Sequence, residues 1–472
     1  MAMFRIRGMR GFLASSIGVT CAAALALPLT LPAVAAPAPA PAPAAQPTSG
    51  TRSVSTAAAP DLPGSTQSLP LAPRTRDRTL GSAPEQGLTR DDVHRFSLVG
   101  VIWDNPDTDL HGSVQVRTRA TGTGTWSGWQ DVDTHNEDHG ADPGTAERTS
   151  GRVHGSTAPL WVGDSDGVDV RVRADADTEA TRTAGPRTSP LPVGLHLELV
   201  DPGAEPPSAR ARAAAPLTAE MAAASSAASA ANTDLVPLGA AEIPALDRQA
   251  TERELVALRG PELTRAERAA PYIGPRPRII TRRGWGADEK LREKGFVYTK
   301  KVKAAFVHHT ATGNNYRCSQ ASSVIRGIYR YHVKSSGWRD IGYNFLVDKC
   351  GNIYEGRAGG VAKAVLGAHT LGFNTNSMGI AVLGTFGTAK PSSAAVTAIA
   401  RLTAWKLGLY GVNPRGKTYL KSGGGNLYRK GKNVRLNVIS GHRDGFATEC
   451  PGRQLYGKLG SARSTSARFQ GR

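Results

Sequence analysis

The spacing of apolar residues divides the chain into regions of different character. From about Leu88 to Asp201, short runs such as RFSLVGVIW, GSVQVRTRA, PLWVG, VDVRVRA and GLHLELV alternate apolar with polar residues, separated by Gly, Asp, Asn and Pro. Period two with regular turns predicts strands, and several short strands in a row predict a small all-β sandwich. From Arg276 the pattern is mixed. AAFVHHT predicts a strand, SQASSVIRGIYRYHVKSS a helix with Val324, Ile328 and Tyr331 on one face, and IGYNFLVDKCGNIYEGR two strands around a KCGN turn. MGIAVLGTF predicts a buried strand, SSAAVTAIARLTAWKLGL a helix between Pro391 and Gly408, and VRLNVIS one more strand. The sum is an α/β domain, a mixed sheet flanked by helices, on roughly 190 residues, which suffices for one core.

The remaining stretches fall outside both patterns. The first 36 residues carry Arg5, Arg7 and Arg10, an apolar run and small residues around Ala33 to Ala36, the layout of a cleaved secretory signal. Residues 37–87 are rich in Pro, Ala, Ser and Thr and read as a linker. The β domain is expected over 88–202 and an Ala-rich linker over 203–275, within which AEIPALDRQATERELVAL has helical character. The α/β domain is expected over 276–463, with 464–472 as a tail. No later stretch reaches the roughly 18 apolar residues of a membrane span, and no leucine precedes Cys21 in a lipoprotein pattern, so a secreted or wall-associated monomer is expected.

Export changes the meaning of the cysteines. With Cys21 in the signal, Cys318, Cys350 and Cys450 remain, an odd number for an oxidising compartment. Cys318 and Cys350 flank a predicted helix and strand, at a spacing where a disulfide contributes roughly 3 to 4 kcal/mol. Cys450 is then the odd thiol. Charge is equally uneven. From Arg276 onward 34 Lys and Arg face 8 Asp and Glu, a balance of +26, while the whole chain carries +19, which leaves −7 on the first 275 residues. A basic domain attracts polyanions, and export favours anionic wall polymers over nucleic acid. The aromatic-interleaved basic pattern of a nucleic-acid module is absent too.

Three residues suggest a metal. His308 ends the FVHHT strand, and His442 and Cys450 share the loop GHRDGFATECPG. Zinc accepts imidazole and thiolate, and a catalytic zinc has three protein ligands. Coordination would also account for an unpaired thiol in an exported chain. By spacing alone, a buried thiol beside ordinary histidines remains an equal reading.

From Ile279 to about Gly460 the chain resembles the peptidoglycan recognition protein family, whose catalytic members are zinc N-acetylmuramoyl-L-alanine amidases. The resemblance is carried by ITRRGWGAD, VHHTAT, GWRDIGYNFLVDKCGNIYEGR, GAHTLGFNTNSMGIAVLG and ISGHRDGFATECPG, in the family's order. It implies zinc held by His308, His442 and Cys450, a catalytic Tyr343, and a Thr448 that helps hold the substrate carbonyl. It also implies a peptidoglycan groove lined by His369, Asn374, Asn376 and Arg357. Non-catalytic members commonly lack the cysteine; this chain has it. A protein that binds peptidoglycan without cleaving it is the alternative.

Other residues receive plainer readings. Strand alternation turns His309 away from His308, as packing or support, and His332, on its helix, is expected to be a groove-edge or packing residue. Glu449 is left outside the catalytic set. In the β domain, HNEDH from His135 to His139 reads as a polar loop and WSGW from Trp126 to Trp129 as core tryptophans.

Overall fold

The computed structural model describes residues 64–74, 84–175, 190–204 and 219–472. The expected signal segment, most of the Pro/Ala-rich stretch and part of the Ala-rich one lie outside these residues. No helix among the described residues is long and apolar enough to cross a membrane.

In the N-terminal region, nine strands join one hydrogen-bonded sheet. The long strand Leu160–Ala174 pairs antiparallel with Glu85–Arg90, Phe96–Trp103 and Gly112–Ala120. Alternate residues such as Val114, Val116, Val168, Val170, Leu197 and Leu199 meet in one core, as period two requires. The strands begin earlier than composition suggested: Thr66–Pro70, inside the presumed linker, pairs with His196–Val200. Trp126 and Trp129 are half-buried rather than core residues. Arg117 lies over both rings and Arg171 over Trp129, at 4.1 to 5.4 Å.

The C-terminal region is built on a seven-stranded sheet. Ala304–His309 lies parallel to Ser377–Val382 on one side and to Ile439–Gly441 on the other, and Phe345–Val347 is parallel to Ser377–Val382. These strands are buried throughout, because helices cover both faces of a parallel sheet. Ser393–Gly408 and Leu459–Gln470 pack on one face, and Ala321–Arg330, extended by the π-helical segment Tyr331–Ser335, on the other. The disulfide joins Cys318 to Cys350, and Cys450 is free and buried.

Three expectations about segments are corrected. VRLNVIS is two strands: Asn433–Asn437 pairs with Lys417–Lys421 in a separate ribbon, and Ile439–Gly441 enters the main sheet. The division follows burial, since Val434 and Leu436 pack with Phe306 and Leu420, whereas Ile439 joins the main core. The supposed tail is the end of helix Leu459–Gln470, where Ser466, Ala467 and Gln470 are buried. Much of the Ala-rich stretch is also part of the fold. Helix Arg248–Arg259 buries Leu255 in the main core, Asn232 donates to Glu355 at 2.9 Å, and Glu242–Ile243 pairs with Ile279–Ile280.

The two regions share a core. Leu98, Ile102, Trp161 and Val200 from the N-terminal sheet cluster with Val324, Ile325, Ile328 and Tyr331. This explains why FSLVGVIW is apolar beyond the alternation: strand Phe96–Trp103 is buried along its whole length and packs on both faces. Tyr331 donates to the carbonyls of Thr157 and Val101 at 3.1 and 3.3 Å. Its ring comes so near that a Cβ on Gly100 would meet the hydroxyl at 2.4 Å. Gly100→Ala is therefore expected to overpack this boundary and to cost about 1 to 3 kcal/mol in urea unfolding, whereas a midpoint equal to the parent's would show that the boundary gives freely.

Candidate metal centre

His308 stands near the carboxyl end of Ala304–His309, and His442 follows directly after Ile439–Gly441. Parallel pairing sets these two strand ends side by side, the usual place for a site in such sheets. Alternation sends Phe306 and His308 to one face, and His309 to the other, where its Nδ1 accepts from the Phe386 N–H at 3.3 Å. Cys450 comes back to the same point through the loop after His442, tied by an Arg443 N–H donated to the Cys450 carbonyl at 3.0 Å.

Nδ1 of His308 lies 3.0 Å from Nδ1 of His442 and 3.8 Å from Sγ of Cys450. Ligand atoms around a tetrahedral zinc stand about 3.3 to 3.6 Å apart by its ordinary bond lengths, so the spacing suits one ion. All three residues are almost wholly buried. Burial lowers the imidazole pKa of His308 well below its usual range, with neighbouring His442, His369 and His139 adding to the effect. Burial likewise brings His442 down to about 3, against the opposing pull of Asp138. Two neutral rings with facing Nδ1 atoms form a donor set suited to a cation. Burial, and then Asp138, push the Cys450 thiol up, a cost that a bound divalent cation would reverse. The residues present therefore fit zinc. The Thr370 hydroxyl lies 3.3 Å from His308 Nε2 and can orient that ring from behind.

The other expected site residues fall into three groups. Tyr343 and Thr448 border the donors: the Tyr343 ring is 5.5 Å from that of His308, and the Thr448 hydroxyl accepts from the Cys450 N–H at 3.1 Å. Arg357 and Asn374 line the adjoining groove, and both are engaged by acidic side chains of the N-terminal region. Glu147 accepts from both Arg357 terminal nitrogens at 2.9 Å, and Asp142 accepts from Asn374 Nδ2 at 2.6 Å. His369 packs beside the donors, its ring 5.2 Å from that of His308, and Asn376 lies farther off. His369 is fully buried, with Nδ1 3.0 Å from the Thr370 hydroxyl and its ring against Gly379, where a Cβ would clash. Asn376, at φ 61°, turns the chain before Ser377, which pairs with Ala304 at the far end of the strand bearing His308, roughly 13 Å or more away at about 3.3 Å per residue. His332 stacks on Trp338 at 4.3 Å with its ring 5.7 Å from that of Tyr343, and Glu449 accepts from Arg443 at 3.1 Å.

One site residue was missed by the sequence reading. His139, in the HNEDH segment taken for a polar loop, joins His308, His442 and Cys450, with all four donor atoms within 4.8 Å of one another. Its ring centroid is 4.6 Å from that of His442, and it is buried. Asp138 beside it is wholly buried, with one oxygen 2.6 Å from His139 Nδ1 and the other 3.5 Å from His442 Nδ1. Burial opposes ionisation of that carboxyl, but its interactions with the neighbouring His139 and His442 side chains hold it well below the usual range. The available hint was length: the connection 133–154, between strands Gln130–Val132 and Gly155–Ser156, is long for a strand-to-strand loop.

Two family models match the chain: an N-terminal galactose-binding domain-like family over residues 50–190, and an N-acetylmuramoyl-L-alanine amidase family over 298–453. Peptidoglycan-recognition protein SC2 of Drosophila melanogaster is 31% identical over 183 residues, covering 38% of this chain and 84% of that protein. A human N-acetylmuramoyl-L-alanine amidase is 34% identical over 143 residues, 29% of this chain and 22% of that one. Among solved structures, Drosophila PGRP-LB aligns at 26% identity over 39% of this chain and 92% of its own, with a TM-score of 0.31.

Proposed function

Since the chain belongs, through its C-terminal domain, to the peptidoglycan recognition protein family, we propose that it is a secreted zinc-dependent N-acetylmuramoyl-L-alanine amidase. The substrate is peptidoglycan, and the bond cleaved is the amide between the lactyl group of muramic acid and the L-alanine of the stem peptide. The observation that carries this reading is the convergence of His308, His442 and Cys450 beside Tyr343. Zinc held by the first three supplies a Lewis acid for the scissile carbonyl and lowers the pKa of water toward roughly 7. The chain's own groups do the rest. Burial raises the Tyr343 phenol well above its usual range, with Cys450 and Asp138 adding to the effect, so it is a proton donor at the wall's pH. Tyr343 and Thr448 donate toward the oxygen that gains charge as the carbonyl is attacked. Arg357 and Asn374 hold the stem peptide in the groove, where a guanidinium pairs with its carboxylates. The N-terminal domain is read as an all-β sandwich.

A peptidoglycan-binding protein without turnover is the second reading, and the complete burial of His308 and His442 favours it. Incubation of the full chain with purified peptidoglycan, with and without a chelator, separates the two. New L-alanine N-termini that vanish with chelator are expected; their absence under all conditions, from the full chain and from His139→Ala alike, would leave binding alone. The +26 balance from Arg276 onward also predicts that retention on anionic wall falls as salt rises, since screening shortens the field to about 3 Å at 1 M. Equal retention at low and high salt would count against that attraction.

A further inference from the structure

The amidase reading needs a zinc with an open position, and a histidine from the N-terminal region stands beside the three donors that would hold it. The loop 133–154 leaves the N-terminal sheet and lies along the groove. The Leu371 N–H donates to the Asp138 carbonyl at 2.9 Å, the Gly372 N–H to Asp142 at 2.8 Å, and Asn374 Nδ2 to the Gly140 carbonyl at 2.9 Å. Glu147 takes Arg357, and Arg152 pairs with Glu293 on the opposite rim. Between these anchors His139 drops into the donor cluster.

We propose that His139 is a fourth ligand to the zinc of His308, His442 and Cys450, so that the N-terminal domain holds the enzyme in a shut, latent form. The inference rests on the zinc-amidase reading. A catalytic zinc has three protein ligands and one exchangeable position, whereas four protein ligands characterise a closed, structural site. A His3Cys shell leaves no place for water or for the scissile carbonyl. An Asp138 oxygen lies 2.6 Å from Nδ1 of His139, and both nitrogens of that buried ring are without a hydrogen-bond partner, so either one is free to serve as a donor. The same loop occupies the groove by charge. Asp142 and Glu147 hold Asn374 and Arg357, the two groove residues proposed to bind the stem peptide, so the loop stands in for the substrate's own carboxylates. Ligand, adjacent carboxylate and groove contacts all come from one loop of a region that is −7, docked on one that is +26. Turnover then requires the loop to leave, and substrate binds more weakly by the fraction of molecules that are open.

The test replaces zinc by cobalt(II) in the full chain and follows the visible d–d bands as azide is added. The parent is expected to be indifferent to azide, because no coordination position is free. His139→Ala is expected to bind azide with a clear spectral change, to hold zinc about 10-fold or more weakly, and to cleave peptidoglycan at least about 10-fold faster. A residue that merely supported the fold would not lower metal affinity while opening the metal to a small anion. Should His139→Ala fail to fold, the double variant Asp142→Ala, Glu147→Ala decides, since it keeps His139 but loosens the loop and is expected to admit azide in part. A parent whose cobalt binds azide as readily as either variant's overturns the latent form and leaves the amidase reading intact. A chain that takes up no metal in any variant overturns both.

Discussion

Replacing Cys450 with serine is expected to abolish tight zinc binding and, with it, amide hydrolysis, while leaving the fold in place. Serine keeps the volume of this buried position but replaces a soft thiolate by a hydroxyl that stays protonated. Loss of an orienting group around a metal already costs about 10- to 100-fold in affinity, and loss of a ligand is expected to cost at least that. The Thr448 hydroxyl still accepts the N–H of residue 450, and the 443–450 backbone bond is untouched, so the loop keeps its course. Zinc content, hydrolysis and the urea midpoint should be measured on one preparation. Full zinc together with full activity would remove Cys450 from the ligand set.

Tyr343→Phe is expected to act in the opposite way, keeping the metal and losing rate. The ring packs near His308 and His139 and is retained, so zinc content should equal the parent's. Only the hydroxyl is lost. A donor aimed at developing negative charge is worth about 10- to 1000-fold in kcat. The comparison is most direct in a His139→Ala background, where the metal is expected to be open. A variant that turns over at the parent's rate would show that the hydroxyl does not touch the reacting oxygen, and Thr448 would then carry that role.

The elements legible beforehand were those whose pattern is local. Ala304–His309, Ser377–Val382 and Ser393–Gly408 appear where unbroken apolar runs and a helix entered after proline said they would. The disulfide followed from counting thiols. Where the reading went astray, the deciding contact was remote. Thr66–Pro70 is a strand because His196–Val200 lies beside it, and Ser466, Ala467 and Gln470 are helical and buried because Ser393–Gly408 offers a face. Neither partner is visible from composition, which marks both segments as polar and small.

The metal centre divides in the same way. The residue types His308, His442 and Cys450, and the opposite charges of the two halves, are properties of the sequence by itself. They determine that one thiol is left over from the disulfide and that an acidic region is joined to a basic one. That His369 is buried against His308, that Asn376 lies at the far end of the strand, and that His139 joins the donor cluster, was decided only by the tertiary structure. His139 and His308 are far apart in the chain, and no period or spacing relates them. They meet because Leu98, Ile102 and Val200 pack on the helix that carries Ile325 and Ile328, which fixes the N-terminal sheet at the distance from which one long acidic loop reaches the zinc ligands.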